Sequence, residues 1–209
     1  MKRRGKSIGT AILALIVGAV MWWLDHRGEL AEEQKEYERL ADCRLVPDRG
    51  NDGDSFHVKV PDGRTVEFRL YYVDAPESGV RTYRDGNDNR ARIRHQGDYF
   101  GGLGQMETTG LGEEAKKWTT RMLGDRGFTV YTRWKPVFGG PRCYAFVELE
   151  HEGRKRWLHE LLVEEGLARI YTEGAKLPNG TNPGAQKDRL NSLQLQAKRR
   201  GRGGWGLAE

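Results

Sequence analysis

The stretch Ser55-Phe56-His57-Val58-Lys59-Val60-Pro61-Asp62-Gly63-Arg64-Thr65-Val66-Glu67-Phe68-Arg69-Leu70 decides the fold. Phe56, Val58 and Val60 alternate with Ser55, His57 and Lys59, and Val66, Phe68 and Leu70 alternate with Glu67, Arg69 and Tyr71. A period of two is that of a strand with one buried face. Pro61-Asp62-Gly63-Arg64 between the runs reads as a tight hairpin turn, with Gly63 free to take a positive φ. Arg69 falls on the face opposite the apolar set.

Working outward, short strands begin at Cys43, and a helix is expected over 112–123, where Ala115, Trp118, Thr119 and Met122 recur at helical spacing. Phe128 to Trp134 alternates as a strand, and Cys143 to Leu149 is a more continuously apolar one. Strand, strand, strand, helix, strand, strand is the order of an OB-type barrel, in which a helix joins the third and fourth strands. Two more helices are expected, over 158–165 stopped by Gly166 and over 186–200 stopped by Gly201. The fold class is therefore α+β and mainly β: a five-stranded OB-type barrel with three helices over residues 43–209. Residues 78–110, rich in Gly, Arg and Asp and poor in periodicity, read as a long, mobile insertion.

The N-terminus is a different material. A basic flank over 1–7, with Lys2, Arg3, Arg4 and Lys6, precedes the uncharged run Ile8 to Leu24. As a helix that run spans about 25 Å, at the short end for a membrane crossing. Trp22 and Trp23 suit an interfacial belt, and the basic flank places the N-terminus in the cytoplasm and the rest of the chain outside. A single-pass anchor over 8–24 is the expectation, and secretion after cleavage near Val17-Gly18-Ala19 is its rival. Residues 25–42, rich in Glu, Lys and Arg, read as a solvated helical spacer.

Composition narrows the chemistry. With 209 residues, 37% of them hydrophobic, and six Trp, eight Tyr and six Phe, the chain buries a real core, which excludes disorder throughout. A net charge of +5 favours a polyanionic partner such as nucleic acid. The five histidines are scattered without metal-ligand spacing, which argues against a zinc hydrolase. Gly101-Gly102-Leu103-Gly104 follows no clear strand and has no downstream Lys-Ser/Thr, so no nucleotide cofactor is indicated. Cys43 and Cys143 either form one bridge in an exported domain or are two small buried hydrophobes.

Three segments carry the reactive groups: Asn51-Asp52-Gly53-Asp54-Ser55, Phe68-Arg69-Leu70-Tyr71-Tyr72-Val73-Asp74-Ala75-Pro76-Glu77 and Gly140-Pro141-Arg142-Cys143-Tyr144-Ala145. Any one of these aspartates alone reads as a turn former. Together, acids at strand ends and two arginines are the equipment for metal-assisted phosphodiester cleavage: hard oxygens for a cation, a carboxylate to hold a water, and planar cations for phosphate.

These segments resemble the active site of the staphylococcal nuclease (thermonuclease) family, and the resemblance runs from about Cys43 to Trp205. It implies a calcium-dependent nuclease acting on DNA or RNA and leaving 3′-phosphate ends. Asp54 and Asp74 resemble the calcium-ligating aspartates, and the backbone carbonyl of Ala75 stands where the family supplies a further ligand. Ala75 replaces a threonine there. Asp52 matches an outer aspartate that lies near the metal without necessarily touching it. Glu77 resembles the general base that activates water, and Arg69 and Arg142 resemble the two arginines that bind the scissile phosphate. At Gly140-Pro141-Arg142 the family has Tyr-Gly-Arg, so a stiffer turn leads into Arg142. Tyr171 lies where family members present a tyrosine near the nucleotide base. Trp205 resembles a late packing tryptophan. Lys198, Arg199, Arg200 and Arg202 either touch substrate backbone or complement a helix C-terminus. The alternative function is a barrel that binds nucleic acid or protein without turnover; a generic OB single-strand binder is a third reading, with no need for the Asp54, Asp74, Glu77 set.

Overall fold

The computed structural model describes residues 12–23, 36–83, 85–124 and 126–208. The chain divides into two compact units, Met1–Glu36 and Tyr37–Glu209. In the first, residues 12–23 form a helix, α1, with exposed side chains. The expected transmembrane helix over 8–24 is not found: among the described residues no helix is long and apolar enough to cross a membrane. Residues 12–23 reach about 18 Å as a helix, well short of a hydrocarbon core of about 30 Å. The basic flank 1–7 and the first part of the spacer, 25–35, lie outside the described residues.

The second unit begins earlier than the expected 43. Strand β1 spans Glu38–Leu45, so the last residues of the predicted helical spacer are strand. Their charges hid it, because only Leu40 and Cys43 face the core and a register shift between them interrupts the alternation. Asp42, at φ 57°, occupies that bulge.

β2 (Ser55–Lys59) and β3 (Thr65–Leu70) form the predicted hairpin, with Gly63 at φ 89° in its turn. A short strand β4 (Val73–Asp74) follows, then helices α2 (Arg90–Tyr99) and α3 (Gln105–Gly124). β5 (Phe128–Pro136), β6 (Cys143–His151) and β7 (Arg154–Trp157) form a meander. The chain continues through α4 (Leu158–Glu164), β8 (Arg169–Ile170), α5 (Pro183–Arg199) and a 3₁₀ turn at Gly203–Gly206.

β1, β2 and β3 pair antiparallel in order, β3 pairs parallel with β6, β6 antiparallel with β5, and β5 antiparallel with β1. Five strands thus close a barrel with OB connectivity, and α2 and α3 lie between the third and fourth of them. Phe56, Val58, Phe68, Leu70, Val130 and Phe146 fill it.

Two further expectations need correction, and one open question is answered. The described residues hold five helices rather than three in the barrel domain and one in the membrane, because residues 78–110 are not a loose insertion. They contain α2 and the first turns of α3, held down by fully buried Ile93, Gln96 and Phe100. The late helix starts at Pro183 rather than 186, since the Asn182 side chain caps it by accepting from the Ala185 N–H at 2.8 Å. Both cysteines are free: Cys43 is buried and Cys143 half-buried.

Candidate active site

The barrel rim brings the first two quoted segments together through strand register. Ser55 of β2 faces Arg69 of β3, and the Leu70 N–H donates to the Asp54 carbonyl at 2.9 Å, so Asp54 sits beside the Arg69 guanidinium. The loop bearing Asp52 and Asp54 lies hard against Ala75 and α3. A Cβ on Gly53 would stand 2.8 Å from Ala75 Cβ and 2.9 Å from Ala115 Cβ, so this close approach needs glycine. Gly112 plays the same part for α3 against Pro76 and Glu77, whose carbonyls lie 2.5 Å from its would-be Cβ.

Arg69 joins the two aspartates. Its Nη2 donates to Asp54 Oδ2 at 3.0 Å and to Asp74 Oδ1 at 2.6 Å, and its Nη1 to Ser55 Oγ at 3.3 Å. Asp54 also accepts from the Ala75 N–H at 2.9 Å and the Ser55 hydroxyl at 3.0 Å. Asp74, 1% exposed, receives three further donors: Arg92 Nη2 at 2.5 Å on Oδ1, and Gln96 Nε2 at 2.9 Å and Arg169 Nε at 2.8 Å on Oδ2. Gln96 Nε2 reaches the Ala75 carbonyl as well, at 3.0 Å, and its Oε1 accepts from the Glu77 N–H at 3.0 Å. The Glu77 carboxylate lies between Asn89, whose Nδ2 donates to Oε2 at 3.1 Å, and Arg92, whose Nε stands 3.1 Å from Oε1.

The electrostatics follow from those partners. Burial pushes the Asp74 carboxyl up, but Arg92, Gln96, Arg69 and Arg169 together outweigh it and hold it below the usual carboxylate range. At Asp54 burial wins: with the neighbouring Asp74 charge it pushes the carboxyl up against Arg69, the Ala75 N–H and the more distant Arg92. Asp52 is pushed up to about 7, first by burial and then by the Asp54 charge, against the Gly53 N–H that its side chain accepts. Arg69 is held firmly protonated, because Asp54 and Asp74 overcome its burial.

Asp54, Asp74, Ala75, Glu77 and Arg69 therefore converge, with Asp52 half-buried beside them. Arg142 does not join Asp54, Asp74 and Glu77: its Nε stands 3.8 Å from Glu67 Oε1. Tyr171 is exposed at the cluster's edge, its ring covered on one side by the Arg169 guanidinium at 3.9 Å. Of the C-terminal basic residues, Lys198 stands over the Trp205 ring at 4.1 Å and Arg202 pairs with Glu165 at 2.8 Å, which explains both without substrate. Trp205 packs against Phe100, with ring centroids 4.8 Å apart.

Sequence reasoning missed Arg92, Gln96, Asn89 and Arg169. The first three lie at positions 89, 92 and 96, one face of a helix, interleaved with buried Ile93 and Phe100. That stripe was the available signal in the segment read as an insertion.

Among the described residues, no group of three or more His, Cys, Asp or Glu side chains is placed to hold a metal. The donor set nonetheless suits a hard cation in kind: two carboxylates and a carbonyl converge, tied together by Arg69 and Gln96. Each of these oxygens already accepts a hydrogen bond from the protein, those of Asp74 and Ala75 from Arg92 and Gln96 of α2 and those of Asp54 from Arg69, Ser55 and the Ala75 N–H.

No family model matches the chain. A curated relative, endonuclease YhcR of Bacillus subtilis (strain 168), is 36% identical over 93 residues, which are 43% of this chain and 7% of that protein. The chain thus spans a small part of the relative's length. It is a weak homologue of that endonuclease, and its closed five-stranded barrel is consistent with the OB-type fold of staphylococcal nuclease-like proteins.

Proposed function

We propose that this protein is a nuclease that hydrolyses phosphodiester bonds of DNA or RNA at the Asp54–Asp74–Glu77 rim of the barrel. The observation that carries the reading is the convergence of Asp54 and Asp74 on the Arg69 guanidinium, with the Ala75 carbonyl and the Glu77 N–H tied to the same place by Gln96. Oxygens able to hold a cation, a planar cation and a further carboxylate gathered at one rim are what in-line attack on phosphorus requires. The similarity to an endonuclease supports the same reaction class.

In this reading Glu77, oriented by Asn89, accepts the proton of the attacking water, while Arg69 offsets the charge that builds on the phosphoryl oxygens. Arg142, one-third exposed just before β6, would meet the phosphate from outside the cluster. Asp54, Asp74 and the Ala75 carbonyl would hold a calcium ion, with Asp52 outside them, and the ion when bound would polarise the phosphoryl oxygen. Release of the 5′ oxygen leaves a 3′-phosphate end. Tyr171 offers its open face to a base.

The reading is tested with the full chain on a fluorescent single-stranded DNA and an RNA of the same sequence, with calcium and with chelator. Cleavage in calcium that yields 3′-phosphate ends and stops with chelator is the expected result. Oligonucleotide binding without cleavage in calcium, magnesium or manganese would leave a binding module, which the fully paired oxygens of Asp74 favour as the second reading.

A further inference from the structure

Three guanidinium groups meet the single carboxylate of Asp74, and they are not held alike. Arg69 and Arg169 have side chains 6% and 7% exposed, and each is tied elsewhere. Arg69 also binds Asp54 and Ser55, while Arg169 donates to the His95 carbonyl at 3.3 Å and covers Tyr171. Arg92 has a side chain 40% exposed, and its ion-pair partners among the described residues are Asp74 and Glu77. Its buried Nε faces Glu77 Oε1 at 3.1 Å, while the rest of the side chain reaches solvent. Arg92 also lies in the first turn of α2, which carries no acidic residue, so its charge opposes the helix dipole. A partly exposed cation at the end of a helix that attracts anions, bound less tightly than its two neighbours, is poised for an anion other than the two carboxylates.

Resting on the nuclease reading, we propose that Arg92 is a further phosphate-binding residue of this site, delivered by α2. Without substrate its guanidinium rests on Asp74 Oδ1 and beside Glu77 Oε1. With substrate it moves to a non-bridging oxygen of a backbone phosphate, exchanging one charge-assisted hydrogen bond for another. Asp74 keeps Arg69, Arg169 and Gln96, so it does not become an unpaired buried charge. Glu77 keeps Asn89 on Oε2 and gains a free Oε1 for water. Substrate phosphate thereby uncovers the base in the same movement that binds it.

The test compares the full-length protein with Arg92→Ala, Arg92→Lys and the control Arg90→Ala, an exposed neighbour paired with Asp88. Two quantities are read: KM and kcat for cleavage of a fluorescent single-stranded DNA in calcium, and the salt dependence of binding to the same DNA in chelator. Arg92→Ala is expected to raise KM about tenfold. The slope of log K against log salt should fall by about 0.7, one phosphate contact on a single strand. Arg92→Lys, which preserves the charge beside Asp74 and therefore the fold, should recover most of the salt slope but only part of KM, because it lacks the planar fork. Arg90→Ala should match the wild type in both. Cleavage by the wild type with Arg92→Ala and Arg92→Lys indistinguishable from Arg90→Ala would overturn the role of Arg92 and leave the nuclease reading intact. A lost salt contact in Arg92→Ala without cleavage by any form would uphold the phosphate contact and overturn the nuclease reading.

Discussion

The β2–β3 hairpin and helix α2 deliver side chains to the same carboxylate, but by different physics. Arg69 reaches Asp74 from a strand whose other face is packed into the barrel, so its position follows from the pleat and the register with Ser55. Arg92 and Gln96 reach Asp74 from a ten-residue helix whose buried face combines Ile93 with the polar Gln96, so its position depends on the polar bonds it makes at the site as well as on packing. The hairpin side of the site therefore belongs to the barrel core, and the α2 side depends on the site's own polar bonds as well as on packing. Perturbing the first should damage fold and function together, and perturbing the second should loosen α2 while the barrel survives.

The largest effect is expected on the hairpin side. Arg69→Ala leaves Asp54 and Asp74 buried without their shared cation, and should cost about 3–5 kcal/mol in urea unfolding and abolish cleavage. On the α2 side, Gln96→Ala strips donors from Asp74 and the Ala75 carbonyl and the acceptor from the Glu77 N–H, at about 1–3 kcal/mol. Hydrogen exchange should then rise in α2 and not in β2 or β3; equal rises in both would break the contrast.

A site away from both regions sharpens it. His159 on α4 is fully buried against Tyr72, Phe146 and Trp157, and burial, reinforced by Arg189, pushes its pKa down to about 3. The unfolded chain takes up a proton near pH 6.5 that the folded chain refuses, so stability is full above that pH and falls as pH drops toward 3. The loss should be about 1 kcal/mol over the first unit below 6.5 and should be smaller in His159→Phe. Equal pH profiles for the two proteins would contradict a buried neutral His159. The smallest effect is expected at Tyr171, whose ring is already covered on one face by Arg169: Tyr171→Ala should weaken single-strand binding by about 1 kcal/mol and leave stability unchanged.

The same contrast explains what the sequence revealed. β2, β3, β5 and β6 were legible because their apolar residues alternate toward one core, and α3 and α4 because theirs recur at helical spacing. Asp54, Arg69, Asp74 and Glu77 were legible as a set, since their segments resemble a known active site. β1 escaped because a bulge at Asp42 breaks its alternation, and α2 because its buried Gln96 and Asn89 count as polar in any hydropathy pattern. Their burial is decided by Asp74, Ala75 and Glu77, residues up to 22 positions away. The apolar run 8–24 misled in the opposite direction, since its hydropathy alone suggested a span that the described helix does not reach.

The most direct measurement is single-turnover cleavage by Glu77→Gln beside the wild type, on one oligonucleotide in calcium, with binding affinity recorded in parallel. The substitution is nearly isosteric and keeps an oxygen for Asn89. The account expects cleavage to fall by about 10²–10⁴ while affinity changes little. Cleavage by Glu77→Gln at the wild-type rate would contradict the assignment of this rim as the active site.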